Sequence, residues 1–193
     1  KTLLFVHGLS SNADAWYRNI EELKNDFTCI AIDLPGYGKS YKNAENLTAT
    51  YFTEIIRKFT EELKIENFTL VGHSMGGQAA IKFAAKYPEN LDKLILVAPA
   101  GIEKFTPYEG AAMKMVMKQS TIMATTPEQI HRNYQLNFFK MPPEAERMIT
   151  DRKNIINASD FDLHALAIEN SVKGMLDDTV TEDFSKIKTS TLF

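Results

Sequence analysis

The feature that most constrains the fold is an alternation of short apolar runs with longer amphipathic segments in the first half of the chain. The apolar runs are nearly unbroken, which is typical of strands covered on both faces of a parallel sheet. The segments between them have the length and periodicity of helices. We predict strands at residues 3–6, 30–34, 68–71 and 94–98, with helices at residues 16–23, 48–63 and 75–87. This order predicts an α/β fold with a mostly parallel sheet flanked by helices.

After residue 98 the alternation stops, and helix patterns without a convincing strand continue to about residue 176. Thr126 before Pro127 is typical of a helix start, and Pro142-Pro143 and Ser159-Asp160 indicate two more. We therefore predict three parts: a core over residues 1–100, an inserted helical cap over residues 101–176, and a return to the core, with the start of the next strand, over residues 177–193.

Seven of the eight methionines lie within the predicted cap. Unbranched thioether side chains suit an adaptable apolar surface, so they could line an acyl-sized pocket beneath the cap. They could equally fill a loosely specified helical core. The sequence leaves both roles open.

Length, charge and cysteine content limit the kinds of partner. A chain of 193 residues with 44% hydrophobic content can bury a substantial core as one domain. Its net charge of -3 offers no basic field for nucleic acid, and no apolar run approaches the roughly 18 residues of a membrane span. We expect a small-molecule partner, no nucleic acid and no membrane span. The single cysteine, Cys29, excludes an internal disulfide and slightly favours the cytoplasm.

The strongest chemical signal is Gly72-His73-Ser74-Met75-Gly76, which follows a predicted strand and precedes a predicted helix. At such a turn a serine takes a strained conformation that exposes its hydroxyl, and the glycines avoid collisions with the neighbouring chain. The helix N-terminus adds unpaired amides and the positive end of the helix dipole. The pattern predicts Ser74 as a nucleophile. The alternative is a serine in an ordinary glycine turn.

A second segment, His7-Gly8-Leu9, follows the first predicted strand. Gly8 lets the backbone turn and leaves the next amide free, so we predict an oxyanion hole from the backbone amides of Leu9 and Met75. We interpret His7 and His73 as structural, His7 by holding its loop through hydrogen bonds. No metal and no cofactor are predicted.

A third segment, residues 33–40, ends in Gly38-Lys39-Ser40, as a phosphate-binding loop does. The rest of that motif is absent, because Asp33 stands where the loop needs a glycine and no helix is predicted directly after Ser40. We predict instead a turn in which Asp33 accepts hydrogen bonds from nearby backbone amides.

In order and spacing these three segments resemble the α/β-hydrolase superfamily, in its branch of capped, esterase-like serine hydrolases. The resemblance covers roughly residues 1–100. It implies that residues 1–6 match the third core strand and that residues 189–193 begin the seventh, so two earlier strands would be absent. It also implies a triad acid after the seventh strand and a histidine after the eighth, both beyond Phe193. His131 and His164 lie in the predicted cap, where we expect surface or substrate-wall positions rather than the catalytic base.

The resemblance implies acyl chemistry on a small-molecule substrate. A serine, rather than an aspartate, argues against the epoxide hydrolases and haloalkane dehalogenases of similar pattern. We expect hydrolysis of carboxylic esters or related acyl compounds through a Ser74 acyl-enzyme, with this 193-residue piece nearly inactive by itself. His73 stands where carbon-carbon bond hydrolases often carry asparagine, which favours esters. A non-catalytic ligand-binding protein on the same fold and an acyltransferase remain alternatives.

Overall fold

The centre of the molecule is a five-stranded sheet, seen in a computed structural model that describes residues 1–193. The strands are β1 (Thr2–Val6), β2 (Thr28–Ile32), β3 (Phe68–His73), β4 (Leu91–Val97) and β5 (Thr191–Leu192). All neighbouring strands are parallel, in the order β2-β1-β3-β4-β5. The predicted α/β fold is confirmed. β4 begins earlier than its apolar run because exposed Asp92 and Lys93 interrupt the run without ending the strand.

Eight α-helices accompany the sheet. They are α1 (Tyr17–Leu23), α2 (Ala49–Glu62), α3 (Met75–Lys86), α4 (Pro107–Val116), α5 (Gln119–Met123), α6 (Pro127–Leu136), α7 (Ala145–Ile156) and α8 (Phe161–Asp177). Helix α6 starts as the sequence predicts: Thr126 and Gln129 form a capping box, and Pro127 occupies the first turn. None of the eight helices combines the length and the apolar character that a membrane crossing requires.

The sheet carries a hydrophobic core on each face, because successive residues of a strand point to opposite sides. In β1, Leu4 and Val6 join the larger core, which includes residues of α2 and α3. Leu3 and Phe5 join the smaller core on the other face, together with Trp16 just before α1. Both faces of β1 are therefore covered, as its unbroken apolar run predicts.

Helix α8 packs into the main core rather than outside it. Three of its residues are at most 1% exposed and belong to the same cluster as the sheet residues: Ala165, Ala167 and Ile168. Gln78 of α3 is fully buried and donates from Nε2 to the carbonyls of Met175 and Asp178 at the end of α8, at 3.0 and 2.8 Å. The division of the chain at residues 101 and 176 stays a prediction.

The methionines of residues 101–176 do not gather at one surface. Met117 and Met175 pack against the main core. Met113, Met115 and Met123 are exposed to solvent. A single methionine-lined wall is therefore not formed.

Candidate active site

The candidate site lies where the chain crosses from one half of the sheet to the other. β2 pairs with one side of β1, and β3, the next strand in the chain, pairs with the other side. In open parallel sheets, ligands bind in the cleft at the carboxyl ends of such a pair of strands. Val6 of β1 lies opposite Gly72 of β3. Gly8 and Ser74, each two residues further along, therefore reach the same level of the sheet.

Ser74 lies at the turn between β3 and α3 with φ 50° and ψ -114°, a conformation that side-chain-bearing residues rarely adopt. Backbone hydrogen bonds hold the turn, because Ser74 N–H donates to the Val97 carbonyl and the Ser74 carbonyl accepts from Ala100 N–H, each at 3.0 Å. The Ser74 hydroxyl has no hydrogen-bond partner within the protein, and the residue is partly exposed. The strained turn therefore presents a free hydroxyl at the start of α3.

Two glycines allow this turn to lie directly against β1. A Cβ at Gly72 would lie 2.6 Å from the carbonyl oxygen of Gly76, and a Cβ at Gly76 would lie 2.5 Å from that of Val6. Both distances are shorter than real Cβ atoms tolerate, and the atoms they meet belong to the backbone. Any larger residue at either position would displace the turn that carries Ser74.

The backbone amide of Met75 directly follows this serine, and that of Leu9 follows Gly8 in the neighbouring loop. Neither N–H donates to a protein acceptor. Met75 is the first residue of α3, where an N–H has no partner within its own helix. Leu9 follows Gly8, and the Gly8 backbone lies close to Ser74: a Cβ added at Gly8 would be 3.1 Å from Ser74 Cβ. The Leu9 and Met75 N–H groups are thus free to donate to a ligand. That they form an oxyanion hole stays a prediction.

His7 joins the loops that follow β1 and β2. Its Nδ1 is bonded to the Gly8 carbonyl at 2.8 Å, and its Nε2 accepts from Leu34 N–H at 3.1 Å. These partners place the proton on Nδ1 of a neutral ring. Complete burial lowers the pKa of His7, which keeps the ring neutral. The bonds give His7 the loop-holding position that the sequence predicts.

His73 precedes the serine and makes no hydrogen bond through its side chain. Its ring meets the Trp16 indole edge to face, with centroids 6.4 Å apart, and partial burial lowers the pKa of His73. His131 lies near the surface with Nε2 3.9 Å from a carboxylate oxygen of Glu146. None of the four histidines bonds to the Ser74 hydroxyl. No three His, Cys, Asp or Glu side chains converge as metal ligands would.

Asp33 organises the loop after β2, as the sequence predicts. Its two carboxylate oxygens accept from the backbone N–H groups of Ala13, at 2.7 Å, and Lys39, at 2.8 Å. The next helix begins only at Ala49, so no helix N-terminus follows Ser40 as a phosphate-binding loop requires. The carboxylate is therefore a structural acceptor that ties the loops after β1 and β2 together.

We expect the substitution Asp33→Asn to lower the free energy of unfolding by about 1 to 3 kcal/mol, because an amide NH2 group would replace one acceptor and face an N–H donor. Urea denaturation at neutral pH measures this loss. Asp14→Asn is the matched control, since the exposed Asp14 side chain accepts no hydrogen bond. Equal stability of the D33N and D14N variants would contradict the prediction.

His164 of α8 does not lie at the surface, which was one of the two positions expected from the sequence. It is 3% exposed, its Nδ1 is bonded to the Gly36 carbonyl at 3.0 Å, and its Nε2 lies 3.3 Å from an Arg152 guanidinium nitrogen. Burial, followed by the positive charge of Arg152, lowers the pKa of His164 to about 4. The surface expectation fails because α8 packs against the loop after β2, and a substrate-wall position stays a prediction.

This shift makes the stability of the fold depend on pH. Because the folded pKa is about 4 and an unfolded histidine titrates near 6.5, the neutral ring stabilises the fold fully above pH 6.5. As the pH falls toward 4 the unfolded state binds the proton first, and we expect a loss of up to about 3 kcal/mol. Urea denaturation of the wild type and of the His164→Gln variant between pH 7 and 4 measures it. A pH dependence that is the same in both proteins would refute the assignment.

Two residues near the site were not singled out by the sequence. Ser10 follows Leu9 and has φ 62°. Arg152 of α7 donates to the Ser10 carbonyl at 2.7 Å. Their contact joins positions 142 residues apart, so no local pattern marks either of them.

Comparison with known proteins agrees with the fold. Residues 1–180 match the α/β hydrolase fold family, and the chain belongs to this family. The match extends well beyond the residues that carry the motifs. Members of this superfamily are in general hydrolytic enzymes. A solved structure of a probable hydrolytic enzyme from Pseudomonas aeruginosa PAO1 superposes with a TM-score of 0.87 at 22% identity, covering 99% of this chain and 62% of that one.

Two curated relatives bear names from acyl chemistry. The human monoacylglycerol lipase ABHD6 is 29% identical over 165 residues, which is 78% of this chain and 48% of the lipase. A 1-acylglycerol-3-phosphate O-acyltransferase of Arabidopsis thaliana is 36% identical over 105 residues, 52% of this chain and 25% of that protein. The chain thus spans about half or less of the length of these relatives.

Proposed function

We propose that this chain supplies the nucleophile and the oxyanion hole of a serine hydrolase that acts on carboxylic esters or related acyl compounds. The observation that carries the proposal is the Ser74 turn: a strained serine with an unpartnered, partly exposed hydroxyl at the start of α3. Strain of this kind is concentrated at active sites and ligand-binding sites. An ordinary turn of this conformation would be occupied by glycine rather than by serine.

In the proposed reaction, Ser74 Oγ attacks the carbonyl carbon of the ester and its proton passes to a general base. The carbonyl oxygen becomes an oxyanion, which accepts from the N–H groups of Leu9 and Met75. Each such donor lowers the barrier by about 2.7 to 4 kcal/mol when it is aimed at the oxyanion. The base returns the proton to the departing alcohol, and water then releases the acid from the acyl-enzyme.

The general base and its orienting acid are assigned to a part of the full-length protein outside residues 1–193. Two observations support this. No histidine of this chain bonds to the Ser74 hydroxyl, and His7 and His164 already use both ring nitrogens in other contacts. A serine nucleophile without its base retains only a small fraction of its rate.

A second candidate, an acyltransferase, is favoured by the similarity to the plant O-acyltransferase. The covalent serine step is the same. The difference lies in the second step, where an alcohol or thiol, rather than water, attacks the acyl-enzyme.

The test uses the full-length protein and a series of p-nitrophenyl esters of increasing acyl length, each with and without an alcohol or thiol acceptor. A hydrolase releases the free acid at the same rate in both conditions, whereas an acyltransferase forms mainly the acceptor ester or thioester. A fluorophosphonate probe reports in parallel whether Ser74 becomes covalently modified. A folded protein that neither turns over any ester nor reacts with the probe would overturn the proposal and favour a ligand-binding role.

A further inference from the structure

The guanidinium group of Arg152, a half-buried residue, makes an unusual set of contacts. It takes part in no salt bridge, and its partners are instead the Ser10 carbonyl oxygen at 2.7 Å, the Ser10 hydroxyl and His164 Nε2 at 3.3 Å. Burial lowers the pKa of Arg152, so its surroundings disfavour the charge. Because no carboxylate compensates this positive charge, the two oxygens of Ser10 are the acceptors that stabilise it.

Ser10 has a strained backbone conformation that the contacts of Arg152 stabilise. Its φ of 62° lies in the left-handed region, which costs a residue with a side chain about 1 kcal/mol or more. It also directly follows Leu9, whose N–H donates to no acceptor within the protein. If Ser10 relaxed to a negative φ, the path of the loop would change next to that N–H. The planar guanidinium fork, which binds both the carbonyl and the hydroxyl of Ser10, opposes this relaxation.

His164 in turn holds Arg152. With Nδ1 bonded to the Gly36 carbonyl, the proton of the neutral ring lies on Nδ1, and the lone pair of Nε2 faces Arg152 as an acceptor. The imidazole is 3% exposed and fixed within α8, so it gives the arginine a rigid partner. The loops after β1 and β2 are thereby joined through side chains of α7 and α8.

We propose that Arg152 is a positioning residue that fixes the Leu9 amide beside the Ser74 hydroxyl by clamping Ser10, and that His164 keeps Arg152 in place. The proposal rests on the proposed function, because it concerns one of the two donors to the oxyanion. It makes the placement of α7 a condition for a complete oxyanion hole. A molecule with α7 displaced would keep its nucleophile and lose one donor.

The test compares three variants of the full-length protein with p-nitrophenyl butyrate as substrate. Arg152→Met is expected to lower kcat about 10- to 100-fold with KM within about threefold, since a displaced donor weakens transition-state binding alone. Arg152→Lys restores part of kcat, because it keeps the charge without the planar fork. Arg147→Met is the matched control: Arg147 lies on the same helix, stacks over the Tyr17 ring at 4.1 Å and makes no bond to the loop. It should keep kcat within about twofold.

Hydrogen-deuterium exchange over residues 7–12 provides a readout that does not depend on catalysis. We expect faster exchange in this segment for the R152M variant and unchanged exchange for R147M. Should R152M fail to fold, His164→Gln provides the same comparison, with a smaller effect expected because it loosens the arginine without removing it.

A wild-type kcat in R152M would overturn the proposal, and so would a raised KM with unchanged kcat, which would make Arg152 a substrate contact. A wild-type protein that neither hydrolyses esters nor reacts with the fluorophosphonate would defeat the proposed function instead. In that case the exchange measurement still decides whether Arg152 clamps the loop.

Discussion

Replacing Ser74 with alanine in the full-length protein is expected to lower kcat for ester hydrolysis by about a millionfold, the loss seen when a serine nucleophile is removed from a working triad. Labelling by the fluorophosphonate should disappear completely. The free energy of unfolding should stay within about 0.5 kcal/mol of the wild type, because the hydroxyl makes no hydrogen bond within the protein. The combination of lost activity with retained stability is what marks a nucleophile.

Ser120→Ala is the matched control for this experiment. Ser120 is an exposed residue of α5 whose side chain makes no hydrogen bond. The S120A variant should keep both labelling and turnover. If the S74A variant retained more than a few per cent of the wild-type kcat, Ser74 would not be the nucleophile and the proposed function would fall.

Replacing Gly76 with alanine is expected to lower the free energy of unfolding by about 3 kcal/mol or more. The new Cβ would lie 2.5 Å from the Val6 carbonyl oxygen and 2.6 Å from that of His7. Both atoms belong to the backbone at the end of β1, so the methyl group fits only if β1 and the Ser74 turn move apart. Because that movement also separates Leu9 from the serine, we expect kcat to fall even under conditions where the G76A variant is still folded.

The matched control is Gly110→Ala in α4, where an added Cβ meets nothing within 4 Å. Alanine is the better helix former, so this variant should be more stable than the wild type by up to about 1 kcal/mol. Urea denaturation of both variants at neutral pH measures the contrast. Similar midpoints for G76A and G110A would mean that the close approach of α3 to β1 is not required.

The sequence predicts the fold well where the signal is local. Strand burial is visible in residues 68–71 as an unbroken apolar run, and β3 forms there. A helix start is visible in Thr126-Pro127, and the capping box forms there. Positions of this kind depend on neighbours within a few residues, so periodicity and capping chemistry are enough to find them.

Prediction was poorest for the helices after β4. Periodicity shows that α8 is a helix but not that it packs on the main core, because an apolar stripe does not identify its partner. The same limit explains His164, which was expected near the surface and is buried against Gly36. The proposed role of Arg152 could not be predicted for a further reason. It depends on a hydrogen bond to a backbone carbonyl in a distant loop, and because every residue has a carbonyl, the sequence does not indicate which one is used.

The sequence by itself determined the candidate nucleophile, its flanking glycines and the family, because each depends on a short segment whose residue types are demanded by a tight turn. Only the tertiary structure decided which groups surround that segment. The parallel register brings Gly8 level with Ser74. Helix α7 adds an arginine that binds the adjoining loop, and α8 adds a histidine that contacts this arginine. Contacts of this second kind arise from the packing of distant elements, and packing depends on the shape of the whole chain rather than on any one stretch of it.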